Sequence, residues 1–281
     1  EVGAPEELGG AAVGEAEPVV EMFGEDVARM LWSKQWQHRE EGLNRVHKDL
    51  PGVPPLRAGK VVSGVCKKAL SDKNPAVYLA ALKVFSALSQ LRDEQGKPLE
   101  VRGVFDPVMP TVVTQLHNNN VRVKDETSRA LLEVSQQPSA GCHYVAQYVL
   151  KAPKQSNVWK VILTRLEFTD ALLSTHEMSA ANGLTPDTIM PVVVMGLNST
   201  NAETRNKAMA LAEKLHRQFG GSKVDPFLKG VDSEATRKLL RDKLGGKGGA
   251  PPPPPPPRGG GGGGGAALAT ELVAKKFACS L

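Results

Sequence analysis

The chain has few aromatic residues: they make up 5% of its 281 positions. A core built from it must therefore be mostly Leu, Val and Ala, a set that suits helix-on-helix packing because Ala permits close approach and Leu fills the grooves. Cysteine is also scarce. Cys66, Cys142 and Cys279 are far apart and none belongs to a CxxC pair, which argues against a zinc site or a disulfide framework and for reduced, intracellular thiols. Long apolar runs are missing too; Met190 to Leu197 is among the longest and is far too short to span a bilayer. Residues 1–20 are acidic and rich in small side chains, with no basic start or apolar stretch, and read as a flexible leader rather than a signal peptide. The sequence is taken as a piece of a longer protein.

Enzymatic signatures fail one by one. His176-Glu177 continues as Met178-Ser179-Ala180, so the second histidine of a zinc-protease motif is absent. Gly59-Lys60 lacks the flanking residues of a phosphate loop, no GxSxG occurs, and Cys142-His143 has no nameable orienting partner. The reading is of a non-enzyme without cofactor or metal. A formal net charge of +5 favours an acidic partner, but clustered basic residues with stacking aromatics are not evident, so neither nucleic acid nor membrane is expected as one.

Between residues 21 and 244 the apolar pattern has helical period. Phe105, Val108, Met109, Val112, Val113 and Leu116 form a wide stripe, and Val62, Val65, Cys66, Ala69 and Leu70 form another. Ile189, Val192, Val193, Gly196 and Leu197 repeat it, as do Ala208, Leu211, Ala212, Leu215 and Phe219. Asn74-Pro75, Asp106-Pro107, Thr185-Pro186 and Asp225-Pro226 each read as a capping side chain before a proline that opens a helix. The fold class is all-α.

A recurring pattern sets the architecture: a polar residue, a pair three positions on, then a small residue. Gln35, His38-Arg39 and Gly42 fit it, as do Asn74, Val77-Tyr78 and Ala81, and Asn201, Thr204-Arg205 and Ala208. Asn118 with Val121-Arg122 fits the first half, with Asp125 in place of the small residue. Steps of roughly 40 residues are those of HEAT repeats. The polar residue caps the second helix of a hairpin, the small one admits the first helix, and the Arg ties one unit to the next. Six hairpins follow, at 22–50, 56–91, 104–136, 139–174, 185–219 and 225–244, making an α-solenoid. Gly245 to Gly265, with seven consecutive prolines, Arg258 and a run of seven glycines, reads as a linker; 266–281 reads as a short helix or a tail.

Solenoids bind through the turns along one ridge. Trp36 falls where the chain crosses from one helix to the next, and two roles are open to it: folding back over the core, or anchoring a partner. Trp36-Gln37-His38-Arg39-Glu40-Glu41-Gly42-Leu43 resembles the W-x-x-R-x-E-A-L signature that opens the first repeat of TOG domains. With Phe23-Gly24-Glu25-Asp26 before it, the stretch is most similar to the ciliary-tip centrosomal branch of that family. Gly42 departs from the usual Ala.

That resemblance implies a six-repeat paddle that binds αβ-tubulin through the turns on one edge, at microtubule ends in a ciliary or centriolar setting. It assigns Lys34 and Trp36 to the first turn, with Trp36 as the anchor, and Lys73 and Asn74 to the second. Asn119 and Asn120 fall in the third, with Arg122 or Lys124 supplying its charge. Lys154, with Lys160 as a further candidate, falls in the fourth, and Thr200, Asn201, Arg205 and Lys207 in the fifth. Arg39 is assigned to internal tying. Oligomerisation, if any, would come from segments outside the sequence. The competing reading is a HEAT scaffold that takes a peptide or helix in its concave face.

Overall fold

The computed structural model describes residues 3–153 and 158–245. Its elements are α-helices, short 3-10 turns and one isolated extended pairing, Arg92 with Pro98, with no β-strand among the described residues. The helices run α1 Ala11–Phe23, α2 Glu25–Trp32, α3 Trp36–Asp49, α4 Pro55–Ala69, α5 Pro75–Gln90, α6 Arg102–Phe105 and α7 Met109–Thr114. They continue as α8 Val121–Gln136, α9 Gly141–Val149, α10 Trp159–Thr175, α11 Pro186–Leu197, α12 Ala202–Phe219, α13 Gly221–Val224 and α14 Glu234–Gly245. The chain divides into two compact units, one running to Val149 with Ala181–Gly183 added, the other holding Leu150–Ala180 and Leu184 onward. The expected class, all-α hairpins of the HEAT type, is the one found.

In the first unit α2 and α3, α4 and α5, and α7 and α8 are consecutive helices that supply the first three hairpins, and α3 packs on α5, which packs on α8. Tyr78 Oη meets Thr127 Oγ1 at 2.9 Å near the start of α5 and α8, and Ser86 Oγ donates to Glu133 at 2.6 Å farther along both. Contacts that advance together on both helices mean that the two run parallel. The stripes expected from period are buried: Phe105, Val108, Met109, Val112, Val113 and Leu116 at most 3% exposed. Phe85 and Phe105 pack with tilted rings whose centroids are 4.2 Å apart, joining α5 to α6 in the aromatic-poor core.

In the second unit α10, α11 and α12 pack together, and the small residues of the repeat show their purpose. A methyl added at Gly196 would meet Leu166 Cδ1 at 2.7 Å and Ala208 Cβ at 2.8 Å. Gly196→Ala is expected to overpack the α10–α11–α12 contact by about 1–3 kcal/mol, against a gain in helix propensity of at most about 1 kcal/mol. Urea unfolding reads this as a lower midpoint; an unchanged midpoint would mean that these helices are not in close contact.

Two expectations are corrected. The leader is not flexible throughout: from Ala11 it forms α1, which buries Ala16 and Val19. Its upstream residues are also held, because Arg29 Nη2 donates to Pro5 O at 2.8 Å and Ser33 Oγ donates to Glu6 at 2.6 Å. Nor do Asp106-Pro107 and Asp225-Pro226 cap helices. Asp106 continues the turn of α6 in helical conformation, and its carboxylate accepts Tyr144 Oη at 2.7 Å and Tyr148 Oη at 2.8 Å. Asp225 opens a 3-10 turn that directly follows α13. In both, the preceding residues are already helical, so the carboxylate has no fresh N–H groups to receive. Asn74 and Thr185 do cap: Asn74 Oδ1 accepts Ala76 N–H at 2.9 Å, and Thr185 forms a capping box, its side chain accepting the Thr188 N–H while its own N–H donates to Thr188 Oγ1 at 3.0 Å.

The linker and tail expected at 245–281 lie outside the described residues, apart from Gly245 closing α14.

Candidate functional site

Four intra-hairpin turns share one construction. Two residues before each second helix's cap, a side-chain oxygen accepts the cap residue's backbone N–H. Ser33 takes Gln35 at 3.1 Å, Asp72 takes Asn74 at 2.8 Å, Asn118 takes Asn120 at 2.8 Å and Ser199 takes Asn201 at 3.2 Å. The cap residues hold nearly the same extended conformation, with φ of −82°, −83°, −75° and −81°. Asn74, Asn120 and Asn201 then turn their own side-chain oxygens onto the first-turn N–H groups of α5, α8 and α12. The residue between lock and cap is pushed outward. Lys34, Lys73, Asn119 and Thr200 occupy that place, and all four are exposed.

Trp36, the first residue of α3, keeps 38% of its surface exposed. It is not sealed between the first two helices. Arg39 fixes the turn beneath it: Nη1 donates to Ser33 O and Lys34 O, each at 2.9 Å, while Nε donates to Asp72 at 2.8 Å. This guanidinium binds the first turn to the second. Burial pushes the Asp72 carboxyl up, but the hydrogen bonds from Arg39 and the Asn74 N–H outweigh it and hold the group below its usual range. With α5 and α8 parallel, the first three turns lie on one edge of the first unit. The Ser33 hydroxyl, aided by backbone N–H groups, also holds the Glu6 carboxyl below its usual range at the first turn.

A family model described as the TOG domain of centrosomal protein CEP104 matches residues 13–211. The chain belongs to this TOG-domain family. Human "Centrosomal protein of 104 kDa" is 21% identical over 252 residues, which cover 85% of this chain and 27% of that protein. The chain thus spans about a quarter of that relative's length. Among solved structures, the TOG domain of human Cep104 superposes with a TM-score of 0.69 at 19% identity, covering 87% of this chain and 97% of that one. A TOG-array structure from microtubule polymerases, described in terms of tubulin recruitment and assembly, gives 0.62 at 12% identity, covering 89% and 50%.

Within this TOG domain the expected site residues divide into groups. Lys34, Trp36, Lys73, Asn119 and Thr200 stand outward at turns, and Arg122, at the second position of α8, is exposed. Asn74, Asn120 and Asn201 are occupied as helix caps. Two residues of the fifth turn, Arg205 and Lys207, also hold internal partners. Arg205 Nη1 donates to Ser199 O at 2.9 Å and Thr200 O at 2.8 Å, repeating the Arg39 geometry. Lys207 Nζ donates to Asp170 at 2.7 Å, with Lys214 on the same carboxylate at 3.2 Å. Lys124 lies beside Asp125 at 4.0 Å, and Lys160 sits 5.7 Å from the ring centre of Trp159. Lys154 lies outside the described residues.

Three apolar side chains outside the expected set stand at helix starts. Val121, first residue of α8, is 64% exposed, and Val158 caps α10 with its side chain exposed. Trp159 then opens α10 as Trp36 opens α3. An apolar residue just past a turn is the common signal.

Burial pushes both Cys66 and Cys142 up to about 12, far from thiolate chemistry at neutral pH. Among the described residues, no group of three His, Cys, Asp or Glu side chains could hold a metal ion, and no helix is long and apolar enough to cross a membrane.

Proposed function

We propose that this TOG domain is a non-catalytic, microtubule-associated module that binds αβ-tubulin through its intra-hairpin turns. Its setting would be a ciliary-tip or centriolar protein that regulates microtubule ends. The observation that carries this reading is the half-open indole of Trp36 at the head of α3, set in a turn that Arg39 braces. Lys34 and Lys73 flank it and Arg122 extends the basic edge across the third turn. Tubulin is acidic, so these charges would steer the encounter while the indole supplies residence. Family membership, the tubulin-recruiting arrays of similar fold and the centrosomal relative support the same reading.

Size-exclusion chromatography with free tubulin tests it: the native chain should co-migrate with the dimer and the Trp36→Ala variant should not. Failure of the native chain to shift would remove the proposal. A second expectation concerns the rim. Lys73→Glu should weaken binding by about 1 kcal/mol, roughly fivefold, and should flatten the dependence of affinity on salt. Titrations at low and high salt read both effects; parallel salt slopes for the two proteins would take Lys73 off the interface.

A further inference from the structure

Next to the first turn, the first unit carries a groove among α1, α2 and α4 that the tubulin-binding proposal leaves unused. It encloses about 640 Å³, and its walls are Pro18 and Val19 of α1, Trp32 of α2, and Val61, Gly64 and Val65 of α4. Gly64 opens the floor: beyond its chain neighbours and its own helix backbone, no atom lies within 4 Å of the position its Cβ would take. Glycine at an interior helix position costs about 1 kcal/mol relative to alanine, and here no packing neighbour requires it. Trp32 is only partly covered. Lys68 Nζ stands 4.5 Å from its ring centre, and its indole N–H points at Glu15 at 3.4 Å.

The rim gives the occupant's charge. Lys60, Lys67 and Lys68 line the groove against the single acid Glu15, so an apolar floor sits inside a positive margin. A second copy of this basic chain or its own 266–281 segment, with Lys275 and Lys276 against Glu271, would bring like charge to that margin. We propose that this groove binds an acidic peptide segment that inserts one bulky apolar side chain beside Trp32. The apolar side chain would fill the space over Gly64, while flanking carboxylates meet the three lysines, Lys68 leaving the ring to do so. The proposal does not rest on the tubulin reading: none of the groove's residues is among those assigned to tubulin, and Lys60, Val61 and Gly64 sit on α4 before the second turn.

Titration of the nitrogen-15-labelled chain with the synthetic peptide Glu-Glu-Leu-Phe-Glu-Glu tests it. The expected result is saturable movement of the Trp32 indole and Gly64 amide resonances. Replacing the four glutamates by glutamine should weaken binding at least tenfold. Gly64→Leu, which fills the floor, should do the same, as should the Lys60→Glu, Lys67→Glu double variant, should the leucine disturb the helix. Absence of movement, equal binding of the glutamine peptide, or movement confined to the Lys34 and Lys73 turns would overturn the proposal. So would resonances of Trp32 and Gly64 that move with protein concentration alone, which assigns the groove to a second copy. Movement of the same resonances on removing residues 246–281 would assign it to the chain's own tail.

Discussion

Trp36→Ala is expected to cost about 2–4 kcal/mol of tubulin affinity, a loss of roughly 30- to 700-fold in the dissociation constant. The magnitude follows from where the ring sits. A tryptophan that is already half covered, at the first position of a helix whose turn is held by three bonds from Arg39, loses little freedom on binding. Its remaining surface is the largest single apolar area at the first turn, and burial in a partner's pocket converts that area directly into residence time. Truncation should therefore raise the dissociation rate far more than it lowers the association rate, which the proposed steering by Lys34 and Lys73 would set. Alanine is well tolerated at the start of a helix, so the unfolding midpoint should move little. Surface plasmon resonance on captured tubulin separates the rates. An intact fold with unchanged dissociation would show that the indole does not meet the partner.

How far the sequence anticipates this edge depends on the kind of information each residue carries. Helices and their buried stripes are legible because burial repeats with period, and every apolar position of the α4 and α7 stripes is covered as expected. Caps are legible only where the flanking chain leaves N–H groups to receive. Asn74-Pro75 meets that condition; Asp106-Pro107 does not, because α6 already runs into it. A tetrapeptide holds no record of what precedes it in space.

Arg205 teaches the opposite lesson. It lies four residues after its cap, as Arg39 lies four after Gln35, and both guanidiniums take the carbonyls six and five residues back. Consistent use of the repeat gives both a bracing role, and it was the family resemblance that set Arg205 among the turn residues. Lys207 was not legible at all, since Asp170 reaches it from a helix 37 positions away. The exposure of Trp36 was undecided by the residues themselves, and the family resemblance tipped it toward anchoring. The α1–α2–α4 groove was hidden for a different reason: it depends on α1, which the composition of residues 1–20 disguised as a leader.

Arg39→Leu is expected to destabilise the first unit by about 2–3 kcal/mol, from the loss of charged hydrogen bonds and the stranding of a part-buried carboxylate. Melting should fall by roughly 5–10 °C. Both ends of the tie suffer. Ser33 O and Lys34 O lose their donor, and Asp72 keeps only the Asn74 N–H while burial continues to oppose its charge. Arg39→Lys should recover little, because an ammonium cannot span two carbonyls and a carboxylate in one plane. The effect carries a pH signature whose sign follows from Asp72. Its folded pKa lies below the unfolded value near 4, so the stabilisation from the pair is complete above that value and disappears as pH falls through the folded one. The stability gap between native chain and variant should be widest near neutrality and should narrow below about pH 4. A gap constant from pH 7 to pH 3 would mean that packing of the Arg39 stem, not its charge, holds the two turns together. In that case tubulin affinity should survive in Arg39→Met, whereas a true ionic brace predicts that this variant loosens the turn under Trp36 and binds more weakly with its fold intact.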